Sequence, residues 1–288
     1  MEITEDSMNS PSSPSSPSSP SSPGSPGSPN SLKKECAKTA ERLVAGLKGV
    51  AREALVADVR IGLGYTAVKL SDERTGVAYT FRDEAKGGCS VFEALRPLVG
   101  RSAVDLLALL ESKDAIEAGV GLACANALVN KRDSEQIEGD ILDHLGVGPE
   151  DDVGMVGNFG PLVRELERRA RSLTIFERIS KPMGKLRPQG EAFSVLPRCR
   201  IALITATSII NGTIDGLLEA AGACRRVVLL GASTPLWAEA FTTTNVTMLS
   251  GVVVTKPADV LRVVSEGGGM RQFSPYVSKV TVMLKREA

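Results

Sequence analysis

The stretch Ile201-Ala-Leu-Ile-Thr-Ala-Thr-Ser-Ile-Ile-Asn-Gly-Thr213 decides the fold. Its first five residues are an apolar run of strand length, too short for a helix, and small hydroxyl and amide side chains crowd in directly behind them. A strand buried on both faces, then a polar turn, then a helix is the first half of a βαβ unit. The same sentence recurs on either side of it. Apolar runs at residues 153–156, 173–176, 227–230 and 246–254 alternate with helical stretches, which predicts a parallel sheet. Pro161, Pro235 and Pro257 sit where first helical residues belong, and Gly222 and Gly267 where helices should stop. Residues 181–197, with three prolines and two glycines, predict a long irregular loop holding at most one helical turn at 192–196.

The first half reads differently. From an N-cap at Ser31, the residues Leu32, Cys36, Ala40, Leu43, Leu47, Val50 and Ala54 recur every three or four positions and predict one long amphipathic helix. Strands at 59–61, 65–70 and 77–81 and helices at 103–110 and 116–129 complete an α+β unit whose edge falls near Ser112. Residues 10–30 are a Ser-Pro repeat with no apolar side chain to bury, and they predict a disordered tail. The expected organisation is a tail over 1–30, an α+β domain over 31–112 and a Rossmann-like domain over 113–288, an α/β protein overall, with the 116–129 helix bridging the two units.

Composition narrows the function classes. With 34 basic and 34 acidic residues there is no positive field to attract nucleic acid, and no run approaches the ~20 apolar residues that cross a bilayer. The five cysteines are odd in number and never form a CxxC pair, so they read as small buried hydrophobes in a cytoplasmic protein. His144 is the only histidine, which leaves no imidazole cluster for a metal. Gly62, Gly64 and Ala67 match the dinucleotide fingerprint, but strand-like alternation follows instead of a helix. A glycine bend between paired strands is therefore expected.

Chemistry gathers at the predicted carboxyl ends of the second-half strands. In an open parallel sheet those loops converge on one crevice. The candidates are Asn158, Glu177 with Arg178, Thr205, Thr207, Ser208, Asn211 and Thr213, then Gly231, Ser233 and Thr234, with Ser250-Gly251 as a further loop. The Thr205 and Gly231 loops are each expected to precede a helix N-terminus, where free N–H groups favour anionic or carbonyl-bearing groups. Ser, Thr and Asn are also the favoured N-caps, so each loop taken singly reads equally well as capping. Glu177 and Arg178 read either as a carboxylate contact and a clamp or as an ion pair closing the loop.

Taken in order, Met155-Val-Gly-Asn-Phe159, Phe176-Glu-Arg178, Ile204–Thr213, Leu230-Gly-Ala-Ser-Thr-Pro235 and Glu266-Gly-Gly-Gly269 resemble the family described as putative heavy-metal chelation. The resemblance extends to residues 62–67 and to Ala123-Cys-Ala-Asn-Ala127. It implies a domain folded like the N-terminal domain of enolase, joined to a Rossmann-like domain, with a ligand site where the two meet. It also implies a metal ion or a flavin- or pterin-like heterocycle as the bound group, and adds Asn126 and Phe159 to the candidates. The expected function is a small-molecule or metal-chelate binding protein, with a homo-oligomer allowed. Two other readings stand beside it: an enzyme acting on a small heterocyclic or anionic ligand in the same cleft, with Glu177 as acid or base, and a scaffold that leaves the cleft empty.

Overall fold

The computed structural model describes residues 37–85, 91–133, 136–139 and 141–284. The Ser-Pro tail, the expected start at Ser31, Leu32, Cys36 and Cys89 lie outside the described residues. Helix α1 (Thr39–Arg52) buries Thr39, Leu43, Leu47 and Ala51, a stripe at four-residue spacing. Val50 is off that stripe: it precedes Ala51 by one position, is rotated about 100° from it, and is 47% exposed. Ala54 is buried as expected, but beyond the end of the helix.

Strands β1 (Val56–Ile61), β2 (Tyr65–Leu70) and β3 (Thr75–Tyr79) form an antiparallel sheet in that order. The first turn is the glycine bend the sequence predicts. Gly62 N–H donates to the Tyr65 carbonyl at 2.9 Å, and a Cβ on Gly62 would lie 2.1 Å from the Val264 carbonyl oxygen. Alternation along the strands sends Thr66, Val68 and Leu70 to one face and Tyr65 and Ala67 to the other. Register then places Tyr79 opposite Tyr65 and Val77 opposite Ala67 on that second face.

The first face packs on helices α2 (Ala103–Ala108) and α3 (Ala115–Val129). Asp114 starts α3 by accepting the Ile116 and Glu117 N–H groups at 2.8 and 3.2 Å. Nearly every residue of α3 is buried, the signature of a helix enclosed on all sides. Gly76 permits this. A Cβ there would lie 2.1 Å from the Ala127 nitrogen and 2.3 Å from the Ala123 carbonyl oxygen, so β3 and α3 touch backbone to backbone.

The second sheet follows from β4 (Ile137–Glu138), α4 (Leu142–Leu145), β5 (Asp152–Val156), α5 (Gly160–Arg169), β6 (Ser172–Glu177), β7 (Leu186–Pro188) and α6 (Ala192–Val195). It continues through β8 (Ile201–Thr205), α7 (Thr207–Ile210), α8 (Ile214–Ala220), β9 (Arg226–Leu230), β10 (Met248–Val254), α9 (Pro257–Ser265), α10 (Met270–Phe273) and β11 (Val277–Met283). Its order is β4-β11-β10-β9-β8-β5-β6-β7, and from β10 to β7 every pair is parallel, as the alternation predicts. β11 runs antiparallel beside β10. The short strands β4 and β7 and the polar-alternating β11 escaped the reading by apolar runs.

Punctuation is obeyed at α5, where Pro161 is the second residue, and at α9, which Pro257 opens and Gly267 closes. There Gly267 N–H reaches the Val264 carbonyl and Gly268 N–H the Val263 carbonyl, the paired bonds of a Schellman stop, with Gly267 at φ +78°. Pro235 is a correction. No helix starts there; the chain runs on irregularly to a single 3₁₀ turn at Ala238–Phe241. Ser250 and Gly251 are likewise not a loop but mid-strand residues of β10, with Ser250 paired to Leu230 of β9 and Thr281 of β11.

Asn126 on α3 and Asn130, the residue that caps it, fasten this helix to both halves of the fold. Asn126 Nδ2 donates to the Val77 carbonyl at 2.8 Å and the Ser233 carbonyl at 3.1 Å. Asn130 Nδ2 donates to the Thr234 and Val252 carbonyls, and its Oδ1 accepts the Leu236 N–H at 2.8 Å. At the opposite edge, buried Asp151 ties the strand starts together through Arg225 at 2.6 Å and Arg200 at 3.2 Å. No described helix is long and apolar enough to cross a membrane.

Candidate functional site

The strand order reverses at β5: β6 follows it on one side and β8 lies on the other, so the loops leaving β5 and β8 part and open a crevice. Gly157 sits at that point with φ +88°, and a Cβ on it would stand 3.0 Å from Thr205 Cβ. Glycine is needed here both for the backbone conformation and for the close approach. A cavity of about 590 Å³ opens in front of it, at the carboxyl ends of β5, β6, β7 and β8.

One wall comes from the large sheet: Asn158, Phe159, Glu177, Arg178, Gln189, Thr205, Thr207 and Asn211, over Val156, Gly157 and Phe176. The opposite wall is the second face of the small sheet and the turn after it, Tyr65, Tyr79, Phe81, Asp83 and Glu84. The aromatic wall is a ladder of edge-to-face contacts. Phe273 meets Tyr65 at 5.0 Å, Tyr65 meets Tyr79 at 5.9 Å, and Tyr79 meets Phe81 at 5.1 Å. Burial, with a smaller contribution from Tyr79, pushes the Tyr65 phenol up to about 12, so it stays protonated and able to donate.

The polar wall is fixed in place largely by its own bonds. Glu177 accepts the Asn158 N–H with one carboxylate oxygen and the Arg178 N–H with the other, both at 3.0 Å, holding the β5 and β6 loops together. Arg178 turns away from Glu177: its guanidinium pairs with Glu84 and lies 4.9 Å from the Phe81 ring centroid. The ion pair thus forms across the cavity, not within the loop. Thr205 and Thr207 share a hydroxyl–hydroxyl bond at 3.0 Å. Asn211 Oδ1 accepts the Thr213 N–H at 3.2 Å and the Thr213 hydroxyl at 2.7 Å.

Of the residues singled out from sequence, Asn158, Phe159, Glu177, Arg178, Thr205, Thr207 and Asn211 line this one cavity. The others serve around it. Ser208 is buried and donates to the Thr205 carbonyl at 2.6 Å, while Thr213 braces Asn211 and receives Gln189 Nε2 at 3.4 Å. Gly231, at φ +108°, backs the Phe159 ring. Asn126 and Thr234 are fully buried, and Ser233 receives the Tyr79 N–H at 2.9 Å, so these three hold the sheets together behind the aromatic wall. Missed were Tyr65, Tyr79, Phe81, Asp83, Glu84 and Gln189, together with Val156, Gly157 and Phe176 on the floor. The odd-numbered face of the small sheet, Tyr65 with Val77, Tyr79 and Phe81, was the available signal.

A bare heavy-metal ion does not fit the donors present. Among the described residues no three of His, Cys, Asp and Glu stand together as a metal-holding group. Cys124, Cys199 and Cys224 are free and buried; burial pushes their thiols up, Cys124 to about 12 and Cys224 to about 11, away from the thiolate a soft metal needs.

A family model described as "Putative heavy-metal chelation" matches residues 140–283, and a second model of the same description matches residues 44–129. An uncharacterized protein of Methanocaldococcus jannaschii is 24% identical over 212 residues, 71% of this chain and 80% of that protein. A crystal structure of unknown function from Desulfitobacterium hafniense superimposes with TM-score 0.73 at 26% identity, covering 85% of this chain and 98% of that one. One from Pyrococcus horikoshii, also of unknown function, gives TM-score 0.76 at 23% identity over 85% of this chain and 100% of that one.

Proposed function

We propose that the chain, which belongs to the putative heavy-metal chelation family, binds a small molecule or a metal chelate in the cavity between its two sheets. The observation that carries this reading is the cavity itself. About 590 Å³ at the switch point of a parallel sheet, with aromatic rings on one side and hydroxyl, amide and carboxylate groups on the other, is the build of a small-molecule site. It is far larger than a bare ion needs, and its walls offer ring faces and hydrogen-bond groups rather than a ligand set. A chelate meets both facts: the metal arrives already wrapped, and the protein handles the wrapping. Both oxygens of Glu177 are engaged by backbone N–H groups, which suits a fixed wall better than a proton shuttle.

Native mass spectrometry with elemental analysis of freshly purified protein tests the reading. A retained mass, with or without metal, at one per chain supports it, provided that Thr207→Trp, which puts an indole into the cavity, releases it. The same mass retained by Thr207→Trp would place the guest elsewhere. A wild-type chain that holds nothing and takes up nothing from a library of small heterocycles and their metal chelates would refute the reading.

A further inference from the structure

The charges of the cavity name the kind of guest. Its walls carry three carboxylates, Asp83, Glu84 and Glu177, against one guanidinium, Arg178, and that guanidinium is already spent on Glu84 and on the Phe81 ring. Arg82 stands 3.5 Å behind Asp83 and offsets it in part, which leaves Glu177 as the carboxylate with no cation beside it in the wall. The N-terminal end of α5 contributes roughly half a positive charge at Gly160, less than one carboxylate.

The uncharged groups pull the same way. The ring faces of Tyr65, Tyr79 and Phe159 carry negative quadrupoles that attract cations, most strongly where water is excluded, whereas the Phe81 ring already has Arg178 over it and Phe176 is fully buried. The Tyr65 hydroxyl has no hydrogen-bond partner among the described residues, though the ring is packed between Tyr79 and Phe273 and lines the cavity. It is an oxygen left to a guest.

We infer that the cavity selects positively charged guests, and that a metal enters it inside a cationic complex held by its outer shell. The inference rests on the small-molecule reading of the cavity and adds the sign of the charge. Outer-shell recognition needs what these walls supply: acceptor oxygens on Thr205, Thr207, Asn158 and Glu177 for the N–H or O–H groups of bound ligands, and ring faces for the net charge. It needs no open coordination site and no thiolate.

Three exchange-inert cobalt(III) complexes of similar reach separate the outcomes: cationic hexaamminecobalt, neutral tris(acetylacetonato)cobalt and anionic hexacyanocobaltate. Equilibrium dialysis of the full chain at fixed ionic strength, with cobalt measured in each compartment, should show the cation saturating at one per chain and the anion excluded. The double variant Asp83→Asn/Glu84→Gln, which lowers the negative charge and frees Arg178, should weaken the cation at least tenfold. Thr207→Trp should abolish its binding. Equal binding of the neutral and cationic complexes, or a cation indifferent to the double variant, would overturn the charge selection while leaving the cavity reading intact. Preference for the anion would overturn it outright. Failure of all three to saturate at one per chain would count against the cavity reading itself. Stoichiometric, Thr207→Trp-sensitive binding of nickel(II) in a weakly coordinating buffer would overturn the outer-shell half.

Discussion

Replacing Asn126 with alanine separates a ligand contact from a structural tie at the position where sequence and structure differ most. The side chain is fully buried and donates to Val77 in β3 and to Ser233 in the loop that leaves β9. Two buried hydrogen bonds are lost, each worth about 0.5–1.5 kcal/mol net, and two carbonyls give up a donor. The change also removes Asn126 Oδ1, which has no partner among the described residues, and this returns part of the cost. The balance is a destabilisation of about 1–3 kcal/mol, which for a chain of this size lowers Tm by roughly 2–4 °C per kcal/mol. Asn126→Asp should cost more, about 3–5 kcal/mol, because it turns an acceptor towards two carbonyl oxygens and buries a carboxylate without a cation. Differential scanning fluorimetry and urea unfolding read both variants. An Asn126→Ala chain that melts like wild type yet loses whatever guest the wild type retains would refute the bracing role and return Asn126 to the site.

Gly76→Ala should be worse tolerated than any alanine substitution on the surface, costing several kcal/mol, because its Cβ meets backbone atoms of α3 at 2.1 and 2.3 Å; soluble expression and Tm check it. Asp151→Asn should cost about 2–3 kcal/mol at pH 7. Burial raises that carboxyl, but Arg225, the Gly148 N–H and Arg200 outweigh burial and hold it below the usual carboxylate range. Its contribution is therefore fully present above the unfolded value of about 3.9 and fades as pH falls through the lower folded value, so the gap between wild type and variant should narrow in acid unfolding scans as pH drops below the ordinary carboxylate range. In a Cys36→Ser/Cys89→Ser background, the remaining three thiols should react with a thiol reagent at pH 8 only as fast as the chain unfolds, since burial raises all three; rapid labelling of the native state would contradict that. Asn211→Leu should weaken binding of the retained guest at least several-fold, as read by titration, with loss of Tm alone being the result that makes Asn211 a brace for Thr213 only.

The parallel sheet was legible because its strands are short apolar runs buried on both faces, and the loops that leave β5, β6, β8 and β9 could be read from sequence, whereas Ser250 and Gly251 lie inside β10. Strands that lack such a run were not legible. β7 is three residues with a proline, and β11 breaks its valines with Ser278, Lys279 and Thr281, so neither announces itself by hydrophobicity. The same limit explains the site. Residues such as Asn158, Thr205, Thr207 and Asn211 stand next to the strands that aim them, whereas Tyr65, Tyr79 and Phe81 reach the cavity only because a second sheet folds across. Strand alternation shows that these rings share a face but not what the face meets. Ser233 and Thr234 mislead for the converse reason: polar residues beside a strand end serve equally well to satisfy buried backbone, and only tertiary contacts tell the two uses apart; Asn126, drawn in by the family resemblance, likewise spends its amide on buried carbonyls.

A crystallographic soak of small cationic and neutral heterocycles tests the central claim most directly. The account predicts that guests concentrate in the cavity, with ring density against Tyr65, Tyr79 or Phe159 and polar atoms within hydrogen-bond distance of Thr205, Thr207, Asn211 or Glu177. Guests that instead gather in the open groove beside Arg74, Lys131 and Arg132, with the cavity holding only water, would contradict it.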